Sequence, residues 1–461
     1  MAGARGLSLL LLLLLFPTIS NARPDTVVRI NQAALRYVSD IGKAPLQQAL
    51  QIMVPSLFDL DDDGEVPQVT RIQMLSVHVP SLHLQFIPEF GVHLSAAANF
   101  TFKVFRVTEP LELTLPVVLQ ADAHMTQDSI GTPVVSISAC SSLFGTAAVP
   151  DGKDSLHPTL LARVQTHIRT MMGSKLCLSV SGLVQEFNVH LGTLIGLTPV
   201  GPESQIRYST VSTPTISSDG ISLDIDATLF LLGKPIVLPA NAIPFVLPRH
   251  VGAKDAMATV GLSQHLFDSA LLLLQKAGAL NLDVTGQLNS ADNPLNTSEL
   301  GQLFPEIARQ FPEPMPVVLK VRLGATPVAT LHTNNATLQL QPLVEVLAMA
   351  SNSAFQSLFS LDVVVNLNLQ LSVSKTKLQG TTSVLGDIQL AVASSNVGLI
   401  DPAQVHMLMG TVFQRPLLDH LNALLGLGIA LPGVVNLCYS DPEVFVHEGY
   451  VVISSGLRYQ R

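Results

Sequence analysis

The chain has 461 residues, more than one hydrophobic core comfortably organises, so two large domains are the first expectation. It is 48% hydrophobic and only 13% charged, against the ~25% charged that globular domains usually carry, which implies extensive internal surface. With 34 acidic and 25 basic residues the net charge is −9, which argues against nucleic acid as a partner and against adsorption to anionic membranes, since both need clustered Lys and Arg.

At the start, Arg5 supplies a positive n-region, Leu7 to Phe16 an apolar h-region, and Ser20 and Ala22 stand like the small residues of a cleavage site. The apolar run is about half of the ~20 residues that cross a membrane. Residues 1–22 therefore read as a signal peptide, and the protein as secreted and extracellular.

Next comes a helix signature, with Asn31 as cap and Leu35, Val38 and Ile41 at helical spacing. It resumes after Pro45 with Leu46, Ala49, Leu50 and Met53. Strands follow. Leu82, Leu84 and Phe86 alternate with His83 and Gln85, and Val92 to Val104 carries one long apolar face that includes Phe100 and Phe102. Leu111 to Leu119 repeats the pattern, so the sheet has one wet face and one dry one. A second helix is predicted from Leu156 to Met172, closing before Cys177, and another strand from Ile221 to Leu229.

Pro235, Pro239, Pro244 and Pro248 mark an extended connector over 231–250. Beyond it the order of helix then strands repeats. Helices are predicted at Leu262–Ala277 and Ser298–Gln310, and strands at Val317–Leu323 and Val363–Val373. Helical pieces follow at Pro402–Phe413 and Leu417–Leu425, and a closing strand at Tyr450–Ser454. The repetition points to an internal duplication.

Three cysteines suit one disulfide and one leftover thiol in a secreted chain. The expected pair is Cys140–Cys177, which would tie a strand to a helix and leave Cys438 free. No Cys/His spacing suits zinc. Asp59-Leu60-Asp61-Asp62-Asp63-Gly64 begins like a calcium loop, but Thr70 stands where the bidentate Glu belongs and Pro67 interrupts it. A solvated acidic loop is the reading, with no metal expected. Asn99, Asn296 and Asn335 head N-glycosylation sequons. There is no G-x-S-x-G, no H-E-x-x-H and no phosphate-cradling Gly loop, so no catalytic residue is assigned and no cofactor expected.

Three stretches carry a family resemblance: VVRINQAALRYVSDIGKAPLQQAL, MATVGLSQHLFDSALLLLQKAGAL and LPGVVNLCYSDPEVFVHEGYVVISSGL. The first resembles the opening helix of the BPI-fold family (bactericidal/permeability-increasing, lipopolysaccharide-binding and lipid-transfer proteins). The second resembles the start of that family's second domain, and the third its C-terminal stretch. Cys140 and Cys177 are placed like its single disulfide. The nearest branch is family B, the long palate-lung-nasal-clone-like proteins.

The resemblance implies an α+β fold: an elongated boomerang of two barrels of twisted antiparallel sheet with long helices, joined by a central sheet. The first barrel domain is then 23–230 and the second 251–461. It also implies apolar tunnels for phospholipid or another hydrophobic ligand. Leu35, Val38, Leu46, Phe100, Phe102 and Val104 are the candidates to line the first tunnel, and Leu266, Leu271 and Leu274 the second. The plain alternative for each is core packing. Endotoxin-binding relatives carry basic clusters near the first tip, whereas Pro24–Ala240 here has 12 basic and 19 acidic residues, so weak or no lipopolysaccharide binding is expected.

The leading expectation is a non-enzymatic, secreted lipid-binding protein of mucosal or salivary innate defence. The alternative is a secreted interaction protein with filled tunnels that acts through its surface. A lipid-metabolising enzyme is the third reading, and no motif supports it.

Overall fold

The computed structural model describes residues 24–60, 67–105, 110–149, 158–238, 245–285, 295–349 and 354–460. The signal-peptide reading and most of the acidic Asp59–Glu65 loop lie outside them. The fold is α+β, built from two barrel sheets and a central sheet.

The chain enters on β1 (Thr26–Asn31), then α1 (Gln32–Ile41) and α2 (Lys43–Ala49). The opening segment expected to be helical thus begins as a strand, because Val27, Val28 and Ile30 are β-branched and pair on both sides. Asn31 occupies the cap position, but its side chain does not cap. Its Nδ2 donates instead to the Ala256 carbonyl (3.0 Å) and to Thr259 Oγ1 (3.2 Å). Helix α1 buries Ala34, Leu35 and Ser39 rather than the predicted Leu35, Val38 and Ile41 face. Ser39 tolerates burial because its hydroxyl donates to the Leu35 carbonyl (2.8 Å).

The first barrel sheet is an antiparallel meander of β2 (Leu57–Leu60), β3 (Pro67–Ile87), β4 (Gly91–Phe105), β5 (Leu111–Gln127) and β6 (Pro133–Phe144). Register shifts after Met74 and after His78 break the β3–β4 ladder, the second beside Pro80, and such bulges increase the curl of a long strand. The even-numbered side chains of β4 from Ala96 to Val104 and the odd-numbered ones of β5 from Leu111 to Leu119 form the dry face.

That face wraps α3 (Pro158–Gly192), whose buried stripe is Val164, Ile168, Met172, Leu176 and Val180. A step of four residues drifts by about 40° per step around the helix, so the stripe winds with the twisted sheet. The helix does not close before Cys177 but continues for another fifteen residues, to Gly192. Gly173 and Gly182 look like breakers in sequence, yet a Cβ at either would meet nothing within 4 Å. The buried stripe outweighs them. At the far end, Asn188 exchanges two hydrogen bonds with the Val135 backbone (2.7 and 2.8 Å).

After α3 come β7 (Leu197–Gly201), β8 (Ser204–Thr210), β9 (Thr215–Ile216), β10 (Gly220–Leu231), β11 (Lys234–Pro235), β12 (Ala258–Ser263) and α4 (Gln264–Lys276). The described part of the proline-rich connector is docked on the sheet. Phe245 and Leu247 lie over Gly261, where a Cβ would stand 2.6 Å from Leu247 Cδ1. The Arg29 guanidinium donates to the carbonyls of Leu247 (3.2 Å), Pro248 (3.0 Å) and Arg249 (2.9 Å).

The second half continues with β13 (Leu282–Thr285), α5 (Thr297–Leu303), α6 (Pro305–Gln310), β14 (Val317–Leu323), β15 (Val328–His332), β16 (Asn335–Leu340) and β17 (Pro342–Met349). Then follow β18 (Phe355–Ser374), β19 (Lys377–Val384), β20 (Gln389–Ser395), α7 (Pro402–Val412), α8 (Gln414–Leu427) and β21 (Ile429–Ala430). Strand β18 forks the second barrel sheet. Its first half pairs with β17 and β20, and its second half with β16 and β19.

Finally β22 (Leu437–His447) and β23 (Tyr450–Tyr459) return to the middle. The central sheet runs β22-β23-β12-β1-β10-β8-β7, with β9 and β11 also on β10. The first and last parts of the chain therefore share one sheet. One apolar cluster extends from this sheet into the second barrel, while the first barrel keeps its own.

Candidate functional site: an apolar cavity in the second barrel

A cavity of about 260 Å³ lies between the central sheet and the second barrel, just under the roughly 300–1,000 Å³ of ligand pockets. Helix α4 contributes Phe267, Ala270, Leu271 and Leu274, which share one face because they stand three or four residues apart. Alternation brings Leu229 and Leu231 from β10 and Leu369 and Leu371 from β18. The end of α8 closes the far side with Leu424, Leu425 and Leu427. Space remains because Ala270, Ala277, Ala279 and Ala329 stand where larger side chains would fill it. At the mouth, Pro202, Glu203, Ala277 and Leu427 are exposed.

Polar atoms around the cavity are largely committed to its walls. Gln379 Nε2 donates to the Gly426 carbonyl (2.6 Å). Asn422 Oδ1 accepts from the Thr382 N–H (2.7 Å) and hydroxyl (2.9 Å), which fastens α8 to β19. His420 Nε2 donates to the Ala279 carbonyl (2.8 Å), which fastens α8 to the segment after α4. Tyr208, buried in the central sheet, donates its hydroxyl to the Ala430 carbonyl (2.6 Å), and burial pushes that phenol well above its ordinary range.

A charged group sits at the root of α4. Asp25 is buried and accepts from the Ala227 N–H (3.0 Å), with His265 Nδ1 at 3.9 Å from its other oxygen. Burial raises the Asp25 pKa, and the Asp25 carboxylate raises that of His265. Asp226 adds to both shifts, and burial raises Asp268 as well. At 3.9 Å the Asp25–His265 contact is electrostatic rather than a hydrogen bond.

Of the predicted second-tunnel residues, Leu271 and Leu274 line this cavity, and Leu266 is buried in the adjoining core. Of the six predicted first-tunnel residues, four come together as packed core and two lie elsewhere. Leu46, Phe100, Phe102 and Val104 pack in the first-barrel core, with the two Phe rings stacked at 6.4 Å. Leu35 joins a separate small cluster with Phe86, Ile216 and Ile221, and Val38 is 43% exposed. The walls from β18, β19 and α8, and the residues that fasten them, were not singled out in sequence. Their apolar periodicity is visible, but nothing local says which helix meets which strand.

Cys140 on β6 and Cys177 on α3 are bonded, with Cα atoms 5.9 Å apart, and Cys438 is a free thiol on β22. Of the sequons, Asn335 is exposed at the start of β16, just after a hairpin turn, and Asn99 is half-buried on the wet side of β4. Asn296 stands at the N-terminus of α5. It is only 8% exposed, and its side chain caps α5 by accepting the Glu299 N–H (2.8 Å). Among the described residues, no group of three His, Cys, Asp or Glu is arranged to hold a metal, and no helix is long and apolar enough to cross a membrane.

The sequence matches the family model for the N-terminal domain of the LBP / BPI / CETP family over residues 34–190, and that for the C-terminal domain over 199–459. BPI fold-containing family B member 2 of Homo sapiens is 73% identical over 460 residues, covering 100% of both chains. The Mus musculus protein of the same name is 67% identical over 438 residues, 95% of this chain and 94% of the relative. Protein TENP of Gallus gallus is 28% identical over 97% of this chain and 98% of its own. A crystal structure of lipopolysaccharide binding protein matches with a TM-score of 0.57 at 20% identity, over 95% of this chain and 100% of that one. This last likeness is one of fold.

Proposed function

Since the chain belongs to the LBP / BPI / CETP family, we propose that it is a carrier that holds a lipid or similar amphiphile without turning it over. The observation that carries this reading is the leucine- and alanine-lined cavity beneath α4. An apolar space of that size gains affinity from burial alone, at ~0.8 kcal/mol per methylene. No proton transfer or nucleophile is needed.

In the same reading residues 1–22 direct secretion, and the protein works outside the cell in mucosal or salivary defence. Residues 23–230 and 251–461 act as two barrel units, with 231–250 between them. Glycans sit on Asn99 and Asn335. Affinity for lipopolysaccharide is weak, because the first half carries 19 acidic against 12 basic residues and so offers lipid A phosphates little counter-charge. The closed packing of Phe100 and Phe102 supports placing the ligand in the second barrel.

Native mass spectrometry of the secreted protein, with lipid extraction of the same sample, tests the carrier reading. A stoichiometric mass excess matching an extracted lipid supports it. A glycan-only mass that persists after incubation with liposomes overturns it, and favours a protein acting through its surface.

A further inference from the structure

Three properties of the cavity bear on which amphiphile it takes. The first is capacity. An apolar cavity of about 150 Å³ accommodates benzene, with six carbons, and at that density 260 Å³ holds on the order of ten. The second is the stiffness of its walls. Asn422 bonds α8 to Thr382 on β19, Gln379 bonds β19 to the Gly426 carbonyl, and His420 bonds α8 to the Ala279 carbonyl. Spreading the walls for a second chain would break bonds on both sides of α8.

The third is where charge lies. Glu203, at the exposed mouth, is the one charged side chain among the described lining residues, and Lys377 bonds the carbonyl of Leu427 at the same mouth (3.2 Å). Among the described lining residues the interior carries no charge. Discrimination therefore falls on the tail, with the head left in water.

We infer that the cavity is built for a single unbranched chain of about ten carbons, a one-tailed amphiphile, and excludes the paired chains of a diacyl phospholipid. This rests on the carrier reading and narrows it.

The test is titration of the full secreted protein, stripped of lipid, with monoacyl phosphocholines from about six to about sixteen carbons, read by native mass spectrometry. Vesicles of a diacyl phosphocholine serve as the second probe. Affinity should rise about fourfold per carbon and level off near ten carbons, at one ligand per chain, with no diacyl uptake. Ala270→Leu should move the plateau down by about three carbons, the number it adds to the cavity. The wild-type series is decisive even if that variant folds poorly.

Stoichiometric uptake of the diacyl lipid, or affinity still rising at the long end of the series, overturns the one-tail inference while leaving a carrier. Binding of neither probe overturns both.

Discussion

His420 on α8 and Ala279, just past α4, are joined by a 2.8 Å hydrogen bond from the imidazole Nε2 to the backbone carbonyl, across 141 residues of sequence. This bond and the one between Asn422 and Thr382 hold the two sides of the cavity at a fixed spacing. His420→Ala strips the half-buried Ala279 carbonyl of its donor and should destabilise the fold by about 1–2 kcal/mol in urea unfolding. An unchanged midpoint would mean that water replaces the imidazole at no cost.

Tyr208 and Tyr439 should ionise only as the protein unfolds in alkali. Burial raises both phenols, and each donates to a carbonyl, Ala430 for Tyr208 and Pro432 for Tyr439. Absorbance titration of the native protein should show a late, cooperative tyrosinate phase. Tyr208→Phe and Tyr439→Phe should each remove part of it. A smooth titration with no late phase counts against this burial.

The Asp25–His265 pair makes stability fall as pH rises. Both pKa values are raised on folding, so the folded state binds more protons than the unfolded one. Asp25's contribution is lost as pH climbs from its ordinary 3.8 through its raised value. That of His265 is present below its ordinary 6.5 and is lost as pH passes above its raised value. The melting temperature should therefore drop as pH rises above 3.8, and drop again as it rises above 6.5. Asp25→Asn should flatten that slope, because it removes one group and the main cause of the other's shift. An equal slope in the variant would assign the effect elsewhere.

Opening the disulfide should loosen α3 from the edge of the first barrel. Cys140 and Cys177 are 37 residues apart, a loop for which chain entropy gives about 3–4 kcal/mol. The Cys140→Ser, Cys177→Ser double variant should unfold at lower denaturant, and hydrogen exchange should rise first along β6 and α3. Exchange that rises equally in both barrels would contradict a local role.

Gly261 keeps the connector on the central sheet. A Cβ there would meet Leu247 Cδ1 at 2.6 Å and the Phe245 ring at about 3.0 Å. Gly261→Val should lift residues 245–249 away and expose them to limited proteolysis well before the barrels are cut. Full resistance would mean that the three carbonyl bonds from Arg29 hold the segment unaided.

Period-two and helical patterns carried most of the fold. The dry faces of β4, β5 and β10 and the strand Val317–Leu323 follow directly from side chains alternating about a sheet. Failures came where a distant partner overrode a local signal. Asn31 looks like a cap until Thr259 and Ala256 are seen to take its amide. Gly173 looks like a terminus until the buried stripe from Val164 to Val180 is seen to run past it. Leu271 and Leu274, tunnel candidates on the family resemblance, line the cavity because helix spacing sets them on one face of α4. His420, Asn422 and Gln379 were not legible in the sequence, because their partners are visible only once α8 lies against β19 and the end of α4.

The place of β1 in the central sheet sets a timetable for the ribosome. Residues 26–31 are made well before their neighbours in the finished sheet, Gly220–Ile225 on one side and Ala258–Leu262 on the other. Strand β12 in turn pairs with 450–455, which are made only after the second barrel. The first barrel's meander can close as it is synthesised, because each of its strands pairs with the next. The central sheet cannot. Strand β12 stays half-partnered through synthesis of the second barrel, an exposed edge that invites pairing with other nascent chains. A protein so arranged depends on its folding helpers most in the interval between the making of β12 and that of β23.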